Sequence, residues 1–484
     1  MTERLAILAD DLTGAADAGA PFAAMGRPTV VLLSPDVPAT LPTADVLVLS
    51  SESRALPPEE AAEATQRCAR RIDEWCQGDT SVRVYKKIDS TLRGYPAMEL
   101  RVLMDTLGVR VALVAPAFPA QGRTTMRGRQ CLHGVPIEHT AFARDGATSD
   151  LGALFTPSAD GAVAGLTRVD LQRGAAHLAG RLRQEREVSL WIADAEDESD
   201  LAVVAAAALA SPLRVLCGSA GLARAIACAT GSVPPLTRTV QAGAPVLVVA
   251  GSRHAATVAQ VDSLRRRGEV VVHPEVAFLE GGDPSGEGRT VARVADVLAT
   301  GRTVVLAATG LPEMSADRVG VAARLASVVA GVCNRVRVKK LVLTGGDTAS
   351  AVCRALGSMS LWLTGELQPG IATGMLIGGR HPGLPVVTKA GGFGDDAALR
   401  FAVDEALYTA RMRSVTDGLR RDTVARVLAL PASERIALAL SLGDEDLARY
   451  VAHSGMDADA ARRRLHAQHA RGRTPSHAAG DERT

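Results

Sequence analysis

The chain has 484 residues, 47% hydrophobic, 22% charged and only 3% aromatic, with a formal net charge of +1. This length calls for two or three hydrophobic cores rather than one. Near-neutral charge gives no field for gathering nucleic acid or an anionic membrane, and so few aromatic rings argue against a base-stacking surface. The seven cysteines show no CxxC spacing, which argues against a disulfide framework or a zinc site.

In chain order, residues 5–9, 29–33 and 45–50 are short β-branched or leucine runs, with small helix-compatible residues from Gly14 to Ala24 between the first two. That is a βαβ rhythm, which implies a parallel sheet covered by helices. Residues 57–77 read as an amphipathic helix entered through Pro57-Pro58-Glu59-Glu60. A strand ends at Ile88, a helix covers 95–106, and a strand covers 110–115. Residues 120–165 read as one long irregular segment of the kind that carries function. The rhythm resumes with a helix at 170–184, a strand at 189–193, a helix at 198–210 and a strand at 213–216. Residues 229–244 are rich in glycine and proline and mark a domain boundary. A second α/β unit follows, with strands at 246–250, 269–272, 303–307, 340–343 and 385–388 and a helix at 255–266. Residues 415–470 show helical periodicity without strands, and 471–484 have the composition of a disordered tail. The expected architecture is α/β, with two α/β/α domains of largely parallel sheet, a cleft between them and a C-terminal helical extension. The expected bounds are 1–235, 245–408, 409–470 and 471–484. The N-terminus shows no charged-then-apolar signal, and no apolar run of about 18 residues occurs, so a cytoplasmic, non-membrane protein is expected.

Chemistry-bearing residues cluster where these strands end, the edge at which open α/β sheets bind ligands. Asp10-Asp11-Leu12-Thr13-Gly14 follows the first strand. Its paired carboxylates suit a magnesium ion or a substrate hydroxyl, and a helix cap explains only one of them. Lys86 to Gly94 crowds Lys87, Asp89, Ser90 and Arg93 at a strand–helix junction, where an ammonium, a guanidinium fork and a helix N-terminus all favour an anion. Only five of the 54 basic residues are lysine, and Lys86, Lys87 and Lys389 fall in such motifs; an ammonium and a guanidinium do different work. Gly122-Arg123 and Arg127-Gly128 stand open as anion-lining pairs, and His133 and His139 as acid–base or structural residues. Gly251-Ser252, Thr344-Gly345-Gly346-Asp347-Thr348 and Gly391-Gly392-Phe393-Gly394 are three glycine turns after three strands of the second unit. Together they point to a nucleotide whose phosphates meet bare amides. No Walker sequence and no GxGxxG is present.

The ordered series LADDLTGAADAGAPFA, SSESR, YKKIDSTLRG, PAFPAQGRTT, CGSAGLA, AGSRHAATVAQ, LVLTGGDTASAV and TKAGGFG resembles the four-carbon acid sugar kinase family from about residue 5 to 405. The resemblance implies an N-terminal domain that binds a sugar acid and a C-terminal domain that binds ATP. It further implies phosphorylation of threonate, erythronate or a 3-oxo acid, with Mg2+. By it, Asp10, Asp11, Arg54, Lys87, Asp89, Ser90 and Arg93 face the acid. Ser252, Gly345, Gly346, Asp347, Thr348, Gly391 and Gly392 face ATP. Arg93 with Arg54 is expected to fix the carboxylate and Asp89 to take the hydroxyl proton, with Asp347 as the alternative base. The metal ligands stay unassigned. Ala390 departs from the serine expected there, Tyr95-Pro96 departs from a small polar residue, and nothing beyond about 410 has a counterpart. The expected partners are the acid and ATP, with no nucleic acid, no membrane and a homo-oligomer open. A non-catalytic sugar-acid sensor and an isomerase of a phosphorylated acid are the alternative functions.

Overall fold

In the computed structural model, residues 4–36, 44–143, 148–185, 187–231, 245–311 and 318–404 are described. The expected helical extension and tail lie outside them. The first half supplies strands β1 (Leu5–Ala9), β2 (Thr29–Leu32), β3 (Val46–Ser50), β4 (Arg83–Lys87), β5 (Ala112–Ala115), β6 (Arg123–Met126), β7 (Arg129–Leu132), β8 (Val135–Pro136), β9 (Ala162–Leu166), β10 (Val188–Ala193) and β11 (Val215–Gly218). The second half supplies β12 (Val246–Ala250), β13 (Val270–Val272), β14 (Val304–Ala307), β15 (Lys340–Thr344), β16 (Ser360–Gln368), β17 (Ile371–Ile377) and β18 (Pro385–Lys389).

Most strands are buried on both faces, as a parallel sheet wrapped by helices requires. Alternate residues of β1 go to opposite layers. Leu5, Ile7 and Ala9 join one core beneath helix Leu12–Ala24, while Ala6 and Leu8 join another beneath helices Pro58–Cys76 and Pro96–Thr106. Among the described residues, no helix is long and apolar enough to cross a membrane.

The two expected sheets join edge to edge. Fifteen strands form one sheet in the order β13-β14-β12-β15-β18-β17-β16-β2-β3-β1-β4-β11-β5-β10-β9. The join is the antiparallel pairing of β16 with β2, from Ser360 opposite Leu32 to Leu363 opposite Thr29. Antiparallel pairings β16–β17 and β17–β18 follow, so β15 and β12 run opposite to β1. Six sheet steps separate β1 from β15. A twist of about 20–25° per step accumulates to most of a half-turn. This returns the C-terminal ends of the second set of parallel strands toward those of the first.

Two segments differ from their sequence reading. Residues 120–165 are not one irregular stretch: β6, β7 and β8 form a separate three-stranded antiparallel sheet, followed by helix Leu151–Phe155 and β9. The Pro369-Gly370 region is the turn of the β16–β17 hairpin, with Gly370 at φ 90°.

Candidate active site

Strand adjacency assembles the first half-site. β1 lies between β3 and β4, with Ala9 level with both Ser50 and Lys87. The segments beyond Ala9, Ser50 and Lys87 therefore emerge side by side. Asp11 caps helix Leu12–Ala24, accepting from the Gly14 amide at 2.7 Å and from Thr13 Oγ1 at 2.8 Å. Arg54 grips Asp10 with both prongs, at 2.8 and 2.7 Å, and reaches Asp11 Oδ2 at 2.7 Å. Arg93 holds Asp89 bidentately at 2.6 and 2.9 Å, and Thr91 donates to the same carboxylate. Lys87 is buried and donates to the Ile88 carbonyl at 3.0 Å. Ser90 is buried, and its carbonyl accepts from Gln130 at 2.7 Å.

Electrostatics follow from these pairings. Burial opposes ionisation of Asp10, but Arg54, with Lys86 and Lys87 behind it, outweighs burial and holds the carboxyl below its usual range. The same contest keeps Asp89 ionised well below that range, with Arg93 the main opposing partner. Asp17, on the helix that Asp11 caps, goes the other way. Burial pushes its pKa up to about 7 against the pull of Lys87. Next to this cluster, Lys86 pairs with Glu99 at 2.7 Å, Ser53 donates to Glu99 at 2.6 Å, and Ser51 meets Ser53 at 2.8 Å. This buried chain locks the ends of β3 and β4 to helix Pro96–Thr106. Glu52 (φ 53°) and Leu92 (φ 60°) hold left-handed backbone inside the two flanking turns, and strain of that sort persists only where surroundings enforce it.

The second half-site repeats the device. β15 lies between β12 and β18, with Thr344 level with Ala250 and Lys389. The three glycine turns therefore sit together. A Cβ on Gly391 would collide with Ser252 Oγ, and one on Gly251 would collide with Thr348 Oγ1. Gly345, at φ 103°, needs the freedom of glycine just before helix Gly346–Ala355. Thr348 is buried, whereas Asp347 is exposed on the first turn. Lys389 donates to the carbonyls of Ala390 (2.8 Å), Gly391 (3.3 Å) and Phe393 (3.0 Å). Gln260 holds those of Phe393, Gly394 and Asp395. With its carbonyls tied inward, the turn leaves amides for an anion. Burial lowers the Lys389 pKa to about 7.

The half-sites touch. A Cβ on Gly346 would lie 2.8 Å from Asp11 Oδ2 and 3.4 Å from Thr13 Oγ1. Phe142 stacks on His254 at 6.2 Å between centroids, and Gln121 donates to the Pro369 carbonyl at 3.1 Å. Asp10, Asp11, Arg54, Lys87, Asp89 and Arg93 of the first half thus form one charged cluster, which meets the glycine turns of the second half where Asp11 approaches Gly346. Of the open pairs, Arg127-Gly128 is a turn whose amides bind Asp194 at 3.0 and 2.8 Å. His133 is packed against Gly122, and His139 ends a short 3₁₀ turn. Sequence reading missed Glu99 and Gln260. A lysine buried at a strand end signals a needed counter-ion, but nothing local names Glu99.

A sugar-binding N-terminal domain profile matches residues 5–226, and a nucleotide-binding C-terminal domain profile matches 247–399. A D-threonate kinase of Salmonella typhimurium strain LT2 is 34% identical over 420 residues, covering 82% of this chain and 96% of that one. A D-erythronate kinase of Heliobacterium modesticaldum is 30% identical over 432 residues, covering 83% and 96%. A solved Haemophilus influenzae structure aligns with TM-score 0.64 at 22% identity over 83% of this chain and all of that one, a likeness of fold.

Proposed function

We propose, since the chain belongs to the four-carbon acid sugar kinase family, that it transfers the terminal phosphoryl group of ATP to a hydroxyl of a four-carbon sugar acid of the threonate, erythronate or 3-oxo-tetronate kind. The observation that carries this reading is the approach of Gly346 to Asp11. It sets a helix N-terminus and its glycine turns against a cluster of buried and half-buried acids and bases.

The residues present fit a nucleotide. A side chain would collide at Gly251 and Gly391, the φ of 103° at Gly345 needs glycine, and backbone amides with the helix N-terminus complement phosphate. Ser252, Gly345, Gly346, Thr348, Gly391 and Gly392 form this cradle. Mg2+ bound with the nucleotide supplies charge neutralisation. A magnesium ion held largely by phosphates needs only one or two carboxylates, and the exposed Asp347, on the first turn of helix Gly346–Ala355, would supply one. On the acid side, Asp10 and Asp11 are fixed by Arg54 and present acceptor lone pairs to substrate hydroxyls, while Lys87 and Ser90 supply donors. Arg93 and Thr91 orient Asp89. So acidic a carboxylate accepts the hydroxyl proton late, once the bond to phosphorus is forming and the hydroxyl has become acidic. Closely packed halves exclude water, which curbs wasteful ATP hydrolysis.

The test is acid-dependent ADP formation by the purified chain with ATP and Mg2+ across D- and L-threonate, erythronate and the 3-oxo acids. The phosphate is then located on the product by NMR. Acid binding without ADP release would instead make this a sugar-acid sensor.

A further inference from the structure

The cations around the acid pocket do not share one condition. Arg54 is neutralised by Asp10 and Asp11, Arg93 by Asp89, and Lys86 by Glu99, each pair within 2.9 Å. Lys87, buried without such a carboxylate among the described residues, gives its ammonium to the Ile88 carbonyl at 3.0 Å; Arg123 leaves most of its fork unused. It opens β6 and is 6% exposed, yet among the described residues no carboxylate lies within ion-pair distance of it. Its Nε has no hydrogen-bond partner, and only Nη1 is used, on the Gln121 carbonyl at 2.9 Å and the Gln121 side chain at 3.3 Å. Burial lowers its pKa, and the attraction of nearby Asp89 and Asp17 does not make up the difference. Buried charge without a counter-ion is costly unless the site is built to receive one.

Its position says which anion. The guanidinium carbon lies 5.1 Å from the ring centre of Phe393, in the nucleotide-side glycine turn, while its titratable neighbours Asp89, Arg93 and Asp17 belong to the acid side. Gln121, which Arg123 grips, bonds across to Pro369 in the second half. Arg123 is therefore braced on the seam, with a planar fork suited to two oxygens of a tetrahedral or trigonal anion.

We propose that Arg123 is a catalytic residue that grips the phosphoryl group chiefly in flight, between the nucleotide and the acid's hydroxyl, rather than in bound ATP. This rests on the kinase reading above. In the step, the acid's hydroxyl oxygen bonds to the γ-phosphorus while the bond from that phosphorus to the β,γ-bridging oxygen breaks. The electron pair leaves with ADP, and the hydroxyl proton goes to Asp89. Arg123 keeps its protons and stabilises charge spread over the equatorial oxygens, a contribution of about 10³-fold or more in turnover where arginine serves this way.

The test compares wild type, Arg123→Met, Arg123→Lys and Arg123→Gly in steady-state kinetics for both substrates, with thermal unfolding to establish folding. Arg123→Met is expected to lower kcat about 10³-fold while leaving KM for acid and ATP nearly unchanged. Arg123→Lys should recover only part of the loss, and free guanidinium should raise turnover of Arg123→Gly. Unchanged kcat, or a loss confined to KM for the acid, overturns the proposal; the latter would make Arg123 the holder of the substrate carboxylate. If Arg123→Met fails to fold, the kcat of Arg123→Lys decides. Wild type that forms no ADP with any acid refutes the kinase reading itself, and this proposal falls with it.

Discussion

Asp17 offers a sharp test of how the site stores charge. Its side chain is 7% exposed and makes no hydrogen bond among the described residues. Lys87 attracts its charge, Glu366 and Asp11 repel it, and Arg224, paired with Glu366 at 2.7 Å, offsets part of that repulsion. Arg123 and Tyr85 also face it. Burial dominates and lifts the pKa from 3.8 to about 7. A carboxyl whose folded pKa is raised favours folding while protonated, so that stability is lost as pH rises from the unfolded toward the folded pKa. At 1.36 kcal/mol per unit the full effect is about 4 kcal/mol. Asp17→Asn has no proton to lose. Relative to this variant, wild type should lose about 2–3 kcal/mol between pH 5 and pH 8, then no more above that. Any fixed offset from burying an amide cancels in this comparison. Paired urea unfolding at pH 5, 6, 7, 8 and 9 measures the gap. A gap that stays constant with pH would show that Asp17 is not a buried, under-compensated carboxyl and would refute the reasoning.

Three further outcomes are expected. Gly346→Ala puts a methyl 2.8 Å from an Asp11 oxygen already fixed by Arg54 and Thr13, so kcat/KM should fall by more than about tenfold with the fold intact by circular dichroism. Lys86→Met strands Glu99, at 1% exposure, without its counter-ion; urea unfolding should show a loss of about 3–5 kcal/mol, and Lys86→Met with Glu99→Leu should recover most of it. Lys389 titrates near 7 because burial depresses its pKa, so its positive charge is present below that pH and lost above it. Calorimetric ATP affinity should therefore weaken from pH 6 to pH 8 in wild type, and this trend should flatten in Lys389→Met.

What the linear chain made legible was local and periodic. The βαβ alternation implied a parallel sheet, and parallel strands place consecutive C-terminal ends on one edge. Asp10-Asp11, Lys87 to Arg93 and the three glycine turns could thus be read as site segments from their position after apolar runs. The helix at 255–266 was likewise set by its own pattern and matches Ala255–Arg266. The β16–β17 hairpin was hidden because its alternation is broken at Thr364-Gly365, where the register shifts and Gly365 takes φ 142°. Pairing across sequence distance was decided only in three dimensions. Arg54 finds its two carboxylates 44 and 43 residues away, and Glu99 comes up beneath Lys86 from a helix whose sequence shows only amphipathicity. The join of β2 to β16 and the contact of Gly346 with Asp11 belong to the same class. They depend on twist summed over several strands, and on which cations find carboxylates once packed. Those are properties of the assembled sheet and are written in no single segment.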